Sequence, residues 1–193
     1  AIPMNLENGF NAELDDHHSV LHASRDAVRA DFMRLCETAI AALKGGNKLV
    51  LFGNGGSAAD AQHIAAELVV RYKINRAPLA AIALTTDTSV LTAGGNDFGY
   101  DAIFERQIAA LCKPGDLAIA ISTSGNSENV IRALQTARDM GVTPAALSGN
   151  EGGRLVGLAD PLLIVPSQTT ARIQEMHILL GHMLCDVLEQ ECP

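Results

Sequence analysis

Two hydrophobic rhythms divide the chain. Between Ser24 and Leu43, the apolar residues Val28, Phe32, Leu35, Ala39 and Leu43 recur at intervals of three and four. That spacing predicts an amphipathic helix, and Gly45-Gly46 closes it. Phe10, Leu14 and Leu21 carry a similar rhythm upstream, as a further helical segment or a continuation of the same one. So much helix ahead of the first strand exceeds what one sheet face needs, and residues 1–46 are expected to serve oligomerisation.

From Leu49 the rhythm changes to short unbroken apolar runs: Leu49–Phe52, Leu79–Thr85, Asp116–Ser122, Thr143–Leu147 and Pro161–Val165. Runs without polar alternation are expected of parallel strands covered on both faces. Helical patterns at Tyr100–Leu111, Glu128–Met140 and Gly153–Leu158 lie between them. The alternation predicts an α/β fold, a three-layer doubly wound parallel sheet of about five strands. With no linker, repeat or low-complexity tract, residues 1–193 read as one domain: a helical region 1–46 and an α/β core 47–193. A last helix, from about Thr170 to Glu189, is apolar nearly all round and should be buried against more than one neighbour. Counted at 100° per residue from Ile173, Gln174 and His182 interrupt an apolar sector. Polar groups placed there should be paired, liganded or catalytic.

Composition narrows the partners. Fourteen Lys+Arg against 22 Asp+Glu give a net charge of −8 with no basic block, so nucleic acid is not an expected partner. An anionic ligand would have to be held by local backbone N–H groups rather than by the global field. Hydrophobic residues make up 48% of the chain, which is high for a monomer and consistent with apolar surface buried between subunits. No run approaches the roughly 18 apolar residues of a membrane span, and no signal-peptide pattern opens the sequence. Cys36, Cys112, Cys185 and Cys192 form neither a CxxC pair nor zinc-ligand spacing, and read as reduced thiols of a cytoplasmic protein. Ala1-Ile2-Pro3, ahead of Met4, is compatible with a cloning remnant.

Candidate chemistry concentrates in Lys48–Ala66, KLVLFGNGGSAADAQHIAA. Here a strand is broken by Asn54-Gly55-Gly56-Ser57 and followed by a helix, the order in which α/β folds build anion sites. Gly53-x-Gly55-x-x-Ala58 fits a loose dinucleotide fingerprint. That fingerprint needs an acid roughly 20 residues on, and RYKINRAP at Arg71–Pro78 has none; the P-loop lysine is missing too. A second loop, Ser122-Thr123-Ser124-Gly125-Asn126-Ser127, offers several hydroxyls beside free helix N–H groups. A helix cap by Asn126 or Ser127 needs only one such residue, so a small dianion such as phosphate is the better fit. His63 and Glu67 share one helix face, continued by Arg71, either as a solvated polar stripe or as an acid/base or metal pair beside the glycine loop. Asn96-Asp97, in GGNDFG, reads as a turn or as a contact to substrate hydroxyls, and Asp87 is similarly open.

Together these segments resemble the phosphoheptose isomerases (sedoheptulose 7-phosphate isomerases) of the sugar-isomerase (SIS) domain superfamily. The likeness rests on GNGGSAADAQH at 53–63, AAELVVRY at 65–72, GNDFGY at 95–100, ISTSGNS at 121–127 and ARIQEMHILLGH at 171–182. It implies an SIS fold in a cytoplasmic homotetramer that converts sedoheptulose 7-phosphate into D-glycero-D-manno-heptose 7-phosphate. That step leads toward nucleotide-activated heptose for lipopolysaccharide core or other surface glycans. By matching position, Ser122, Thr123, Ser124 and Ser127 would hold the phosphate, with the Gly55-Gly56-Ser57 turn beside it. Asn54, Asn96 and Asp97 would contact hydroxyls, and Glu67 and His182 would move protons. The positions matched by His63, Glu67, Gln174 and His182 bind zinc in some members. Ala171 departs from members that carry an acid there, which removes one direct substrate contact.

Ketose–aldose interconversion passes through an enediol, so it needs an acid and a base close together and something to stabilise the developing oxyanion. Two alternatives share the scaffold: a non-catalytic SIS tetramer that binds the replication initiator protein, and an isomerase of another sugar phosphate. The joint presence of Glu67 and His182 favours an enzyme. A sugar-phosphate sensor of a transcription regulator is disfavoured by the absence of a helix-turn-helix pattern and by the acidic charge.

Overall fold

A computed structural model describes residues 5–192; Ala1-Ile2-Pro3 lies outside the described residues. Two helices come first, α1 (Leu6–Ala27) and α2 (Arg29–Lys44). Asn5 caps α1, its side chain accepting from the Asn8 amide at 3.2 Å. The two helices are separated only at Val28, whose ψ of −3° departs from the helical value. Val28, Phe32, Leu35 and Ala39 are buried as their spacing predicts.

Five strands follow: β1 (Leu49–Gly53), β2 (Ala81–Ala83), β3 (Leu117–Ser122), β4 (Thr143–Ser148) and β5 (Leu162–Ile164). They form one parallel sheet in the order β2-β1-β3-β4-β5. Between them lie α3 (Gly56–Val69), α4 (Thr88–Phe98), α5 (Ile103–Leu111) and α6 (Glu128–Asp139), and α7 (Thr170–Glu191) ends the chain. Leu49, Leu51, Leu117, Ile119 and Ile121 point to a core shared with α2, α3 and α7. Val50, Phe52, Ala118 and Ala120 point to a second core with α5 and α6. Both faces are covered, which is why the strands show no polar alternation. The strand order reverses between β1 and β3, and open α/β sheets leave a crevice at the carboxyl ends of such a pair.

Three expectations need correction. The stretch around Asn96-Asp97 is no turn; it is the last turn of α4, a helix begun by Asp87, whose side chain accepts from the Val90 amide at 3.0 Å. The expected helix Gly153–Leu158 is instead a short 3₁₀ segment, Asn150–Leu155, interrupted by left-handed backbone at Glu151. In α7 the buried polar side chains are Arg172, His177 and Glu189, whereas Gln174 and His182 are half-buried. Arg172 donates to Glu13 and Glu175, both at 2.8 Å, and so fastens α1 to α7. His177 Nε2 donates to the Ser148 carbonyl at 3.0 Å, and burial pushes the imidazole pKa down to about 4. Among the described residues no helix is long and apolar enough to cross a membrane.

Candidate active site

The carboxyl ends of β1 and β3 deliver the two loops foreseen from sequence. In the first, Gly55 takes φ +58°, open to glycine at little cost, and begins α3 with no side-chain cap. A Cβ on Gly56 would collide with the Gln174 carboxamide, so this loop lies directly under the first turns of α7. Ser57 is buried at the base of the turn. In the second loop, Ser127 occupies the cap position of α6, yet neither it nor Asn126 caps the helix with its side chain. Asn126 instead donates to the Ser124 carbonyl at 3.1 Å and accepts from the Arg154 amide at 3.2 Å. The Ser122 and Ser127 hydroxyls stand 3.5 Å apart. The cap reading of these residues therefore fails, and the amino end of α6 carries no side-chain cap, with the Ser127 hydroxyl at its cap position.

A carboxamide bridge joins the loops. Asn54 Nδ2 donates to Asn129 Oδ1, and Asn129 Nδ2 donates to Asn54 Oδ1, both at 2.9 Å. The Tyr100 hydroxyl also donates to Asn54 Oδ1 at 2.9 Å. Asn129 is buried in the first turn of α6, and neither it nor Tyr100 stands out as a site residue in the sequence. The signal was available: a carboxamide two residues past Ser127 falls among the apolar positions of α6. Asn96 and Asp97 bond to each other, Asn96 Nδ2 donating to Asp97 Oδ1 at 2.7 Å, and no hydrogen bond among the described residues ties them to either loop.

The titratable cluster forms where α3 meets α7. A Cβ on Gly181 would lie 2.5 Å from Ile64 Cδ1, so only glycine there lets the two helices approach this closely. That approach sets His63 Nε2 2.8 Å from His182 Nε2 and 3.5 Å from Glu67 Oε1. His63 thus stands between Glu67 and His182; its side chain is 46% exposed, so the stripe keeps a solvated face while it also meets α7. One turn before His63, Asp60 is buried with Oδ2 unpartnered, and burial pushes its carboxyl pKa up against the opposing pull of His63.

Residues 14–149 match the SIS domain family. Fold and matched span together define the class: an α/β protein built on an SIS domain. The phosphoheptose isomerase of Paramagnetospirillum magneticum is 58% identical over 186 residues, covering 96% of this chain and 97% of that one. A solved phosphoheptose isomerase from Neisseria gonorrhoeae superposes with a TM-score of 0.91 at 41% identity, covering 96% of this chain and 100% of that chain. One from Francisella tularensis gives 0.93 at 35% identity, covering 97% and 100%. The chain belongs to the phosphoheptose isomerases and is an isomerase.

Proposed function

We propose that the protein converts sedoheptulose 7-phosphate into D-glycero-D-manno-heptose 7-phosphate, with Glu67 and His182 as the proton-transfer pair. The observation that carries this reading is the junction of α3 and α7. It gathers His63, Glu67 and His182 on the same two helices whose early turns, at Gly56 and Gln174, border the glycine loop.

Ser122, Thr123, Ser124 and Ser127 hold the phosphate with the uncapped amino end of α6, and Gly55, Gly56 and Ser57 close on it from α3. This placement suits an acidic protein, because the anion meets local dipoles rather than net charge. Asn54 has one amide hydrogen left after its bond to Asn129 and offers it to a sugar hydroxyl. Asn96 and Asp97 serve further hydroxyls, and Gln174 presents its carboxamide to the same space. With the sugar anchored by its phosphate, the pair carries a proton between C1 and C2 through the enediol, one group as base and the other as acid.

The donor types at the helix junction fit zinc: two imidazoles, a carboxylate and the Gln174 carboxamide, with His63 and Glu67 one turn apart on α3 and Gln174 two turns before His182 on α7. They do not stand as a closed cage, since His63 and His182 meet at hydrogen-bond distance and no three His, Cys, Asp or Glu among the described residues converge on one point. We assign His63, Glu67, Gln174 and His182 as the residues that would hold the ion, which when bound supplies Lewis-acid stabilisation of the developing oxyanion. A His182 nitrogen given to metal cannot also take a proton, so the two roles compete.

Exposed apolar residues on α1 (Leu6, Phe10, Leu14 and Leu21) support assembly through the amino-terminal helices, as a homotetramer. Four free thiols suit a cytoplasmic setting, and the product would enter synthesis of nucleotide-activated heptose for lipopolysaccharide core or surface glycans. The test is aldose formation from a panel of ketose phosphates, run beside a binding assay with the replication initiator protein. Turnover greatest with the seven-carbon substrate is expected. Initiator binding with no turnover on any ketose phosphate would overturn the reading.

A further inference from the structure

The segment Arg71–Ala80, between α3 and β2, has no regular structure and is largely exposed. It is nonetheless held by a buried ion pair. Glu189, near the end of α7, accepts from the amides of Tyr72 at 2.9 Å, Lys73 at 2.8 Å and Ile74 at 2.8 Å. Its carboxylate also lies 3.5 Å from Arg76 Nε, and both side chains are only 2% exposed. Burial acts to raise the Glu189 pKa, but the three amides and Arg76 outweigh it and hold the carboxyl below its ordinary value. Arg76 in turn donates to the carbonyls of Glu67 at 2.9 Å and Leu68 at 2.8 Å, in the last turn of α3 where helix carbonyls lack partners. One knot therefore joins the end of α3, the irregular segment and the end of α7.

A buried ion pair adds little net stability over apolar packing, so its use here is better sought in what it fixes in place. What it fixes is Tyr72. The Tyr72 ring stacks on the His182 imidazole, with centroids 5.6 Å apart and planes 21° from parallel. The Lys73 ammonium lies 5.0 Å from the same ring and bonds Asp186 at 3.0 Å, tethering the segment to α7 a second time.

We propose that Glu189 and Arg76 hold Tyr72 against His182, and that these three are positioning residues setting the imidazole plane for proton transfer. The proposal rests on the reading of Glu67 and His182 as the working pair. The test measures kcat, KM and thermal stability for Tyr72→Leu, Tyr72→Phe and Glu189→Gln, with His182→Asn alongside. Tyr72→Leu should lower kcat about 10- to 100-fold, because a misplaced catalytic group loses near-attack geometry. Its KM should stay within about threefold, since the phosphate loops are untouched. Tyr72→Phe keeps the stacking ring and should restore kcat to within about twofold of the parent. Glu189→Gln should lower kcat like Tyr72→Leu, and the double variant should fall short of the product of the two effects. A folded Tyr72→Leu enzyme with unchanged kcat, or Phe and Leu variants equally impaired, would overturn the proposal. An active His182→Asn enzyme sinks the pair itself; an inactive one beside a normal Tyr72→Leu sinks only the positioning role.

Discussion

The turns Gly53–Ser57 and Ser122–Ser127 contain no ionisable side chain, whereas the junction of α3 and α7 presents His63, Glu67 and His182 within a few ångströms. The turns are built from glycine, hydroxyls, a carboxamide and backbone N–H groups, each at the end of a strand of the same sheet. The junction needs two helices more than a hundred residues apart to meet at Gly181. Fixed dipoles hold a fixed charge whatever the stage of the reaction, so on the proposed reading the loop half would supply uniform binding. Groups that gain and lose protons follow the reaction itself, so on the same reading the helix half would supply the rate.

The largest expected effect is on the helix half. Glu67→Gln and His182→Asn should each lower kcat by about 10²- to 10⁴-fold with KM and thermal stability little changed, read by steady-state kinetics on folded protein. Near-parent kcat in either variant breaks the division of labour. Next comes a stability effect confined to the same half. His177, a buried residue of α7, has a folded-state pKa of about 4, below the ordinary value of 6.5. The unfolded chain therefore takes up the proton first, and stability is lost as pH falls from 6.5 towards 4. The loss is roughly 3 kcal/mol, from about 1.4 kcal/mol per pKa unit. Urea unfolding of parent and His177→Gln at pH 7 and pH 4.5 reads it, with a flatter pH dependence expected for the variant. On the loop half, the double change Ser122→Ala, Ser124→Ala should raise KM about 10- to 100-fold at nearly constant kcat, as charge-assisted hydrogen bonds to the phosphate are lost. A fall in kcat alone would move these serines into the chemistry. Smallest is Gly181→Ala, whose methyl must push Ile64 aside. A loss of about 1–2 kcal/mol in stability is expected, with kcat falling more than KM rises. An unchanged kcat would show that the spacing of α3 and α7 is not set there.

The loop half was legible in the sequence because its signals are local. A strand, a glycine or serine cluster and a helix adjoin one another in each loop, and both were found at their residues. At the junction, His63–Glu67 and His182 are each legible as candidates from helix spacing, but their meeting is legible only by resemblance: Glu67 and His182 lie far apart in the chain, and nothing in their spacing says that they face each other across His63. The buried members of α7 were misassigned for a related reason. Gln174 and His182 looked like the intruders on an apolar helix, but neighbours decide burial, and Arg172, His177 and Glu189 found partners on α1, β4 and the Tyr72–Arg76 segment. The helix α4 is masked in the sequence because Gly94-Gly95, Thr88 and Thr92 lower its propensity. Its one clear mark was Asp87, a capping residue set just before the first turn. The break at Val28 has no glycine or proline to announce it. Tyr72 and Tyr100 lie inside AAELVVRY and GNDFGY, yet an aromatic ring at the edge of the core or on the surface has no spacing rule that reveals its partner.

The most direct test of the divided site is a crystal structure of the Glu67→Gln variant soaked with sedoheptulose 7-phosphate. The phosphate should accept hydrogen bonds from Ser122, Ser124 and the amino end of α6, with C1 and C2 of the sugar lying between residue 67 and the His182 ring. A phosphate bound away from those serines, or a carbonyl end pointing out of the α3–α7 junction, would contradict the account.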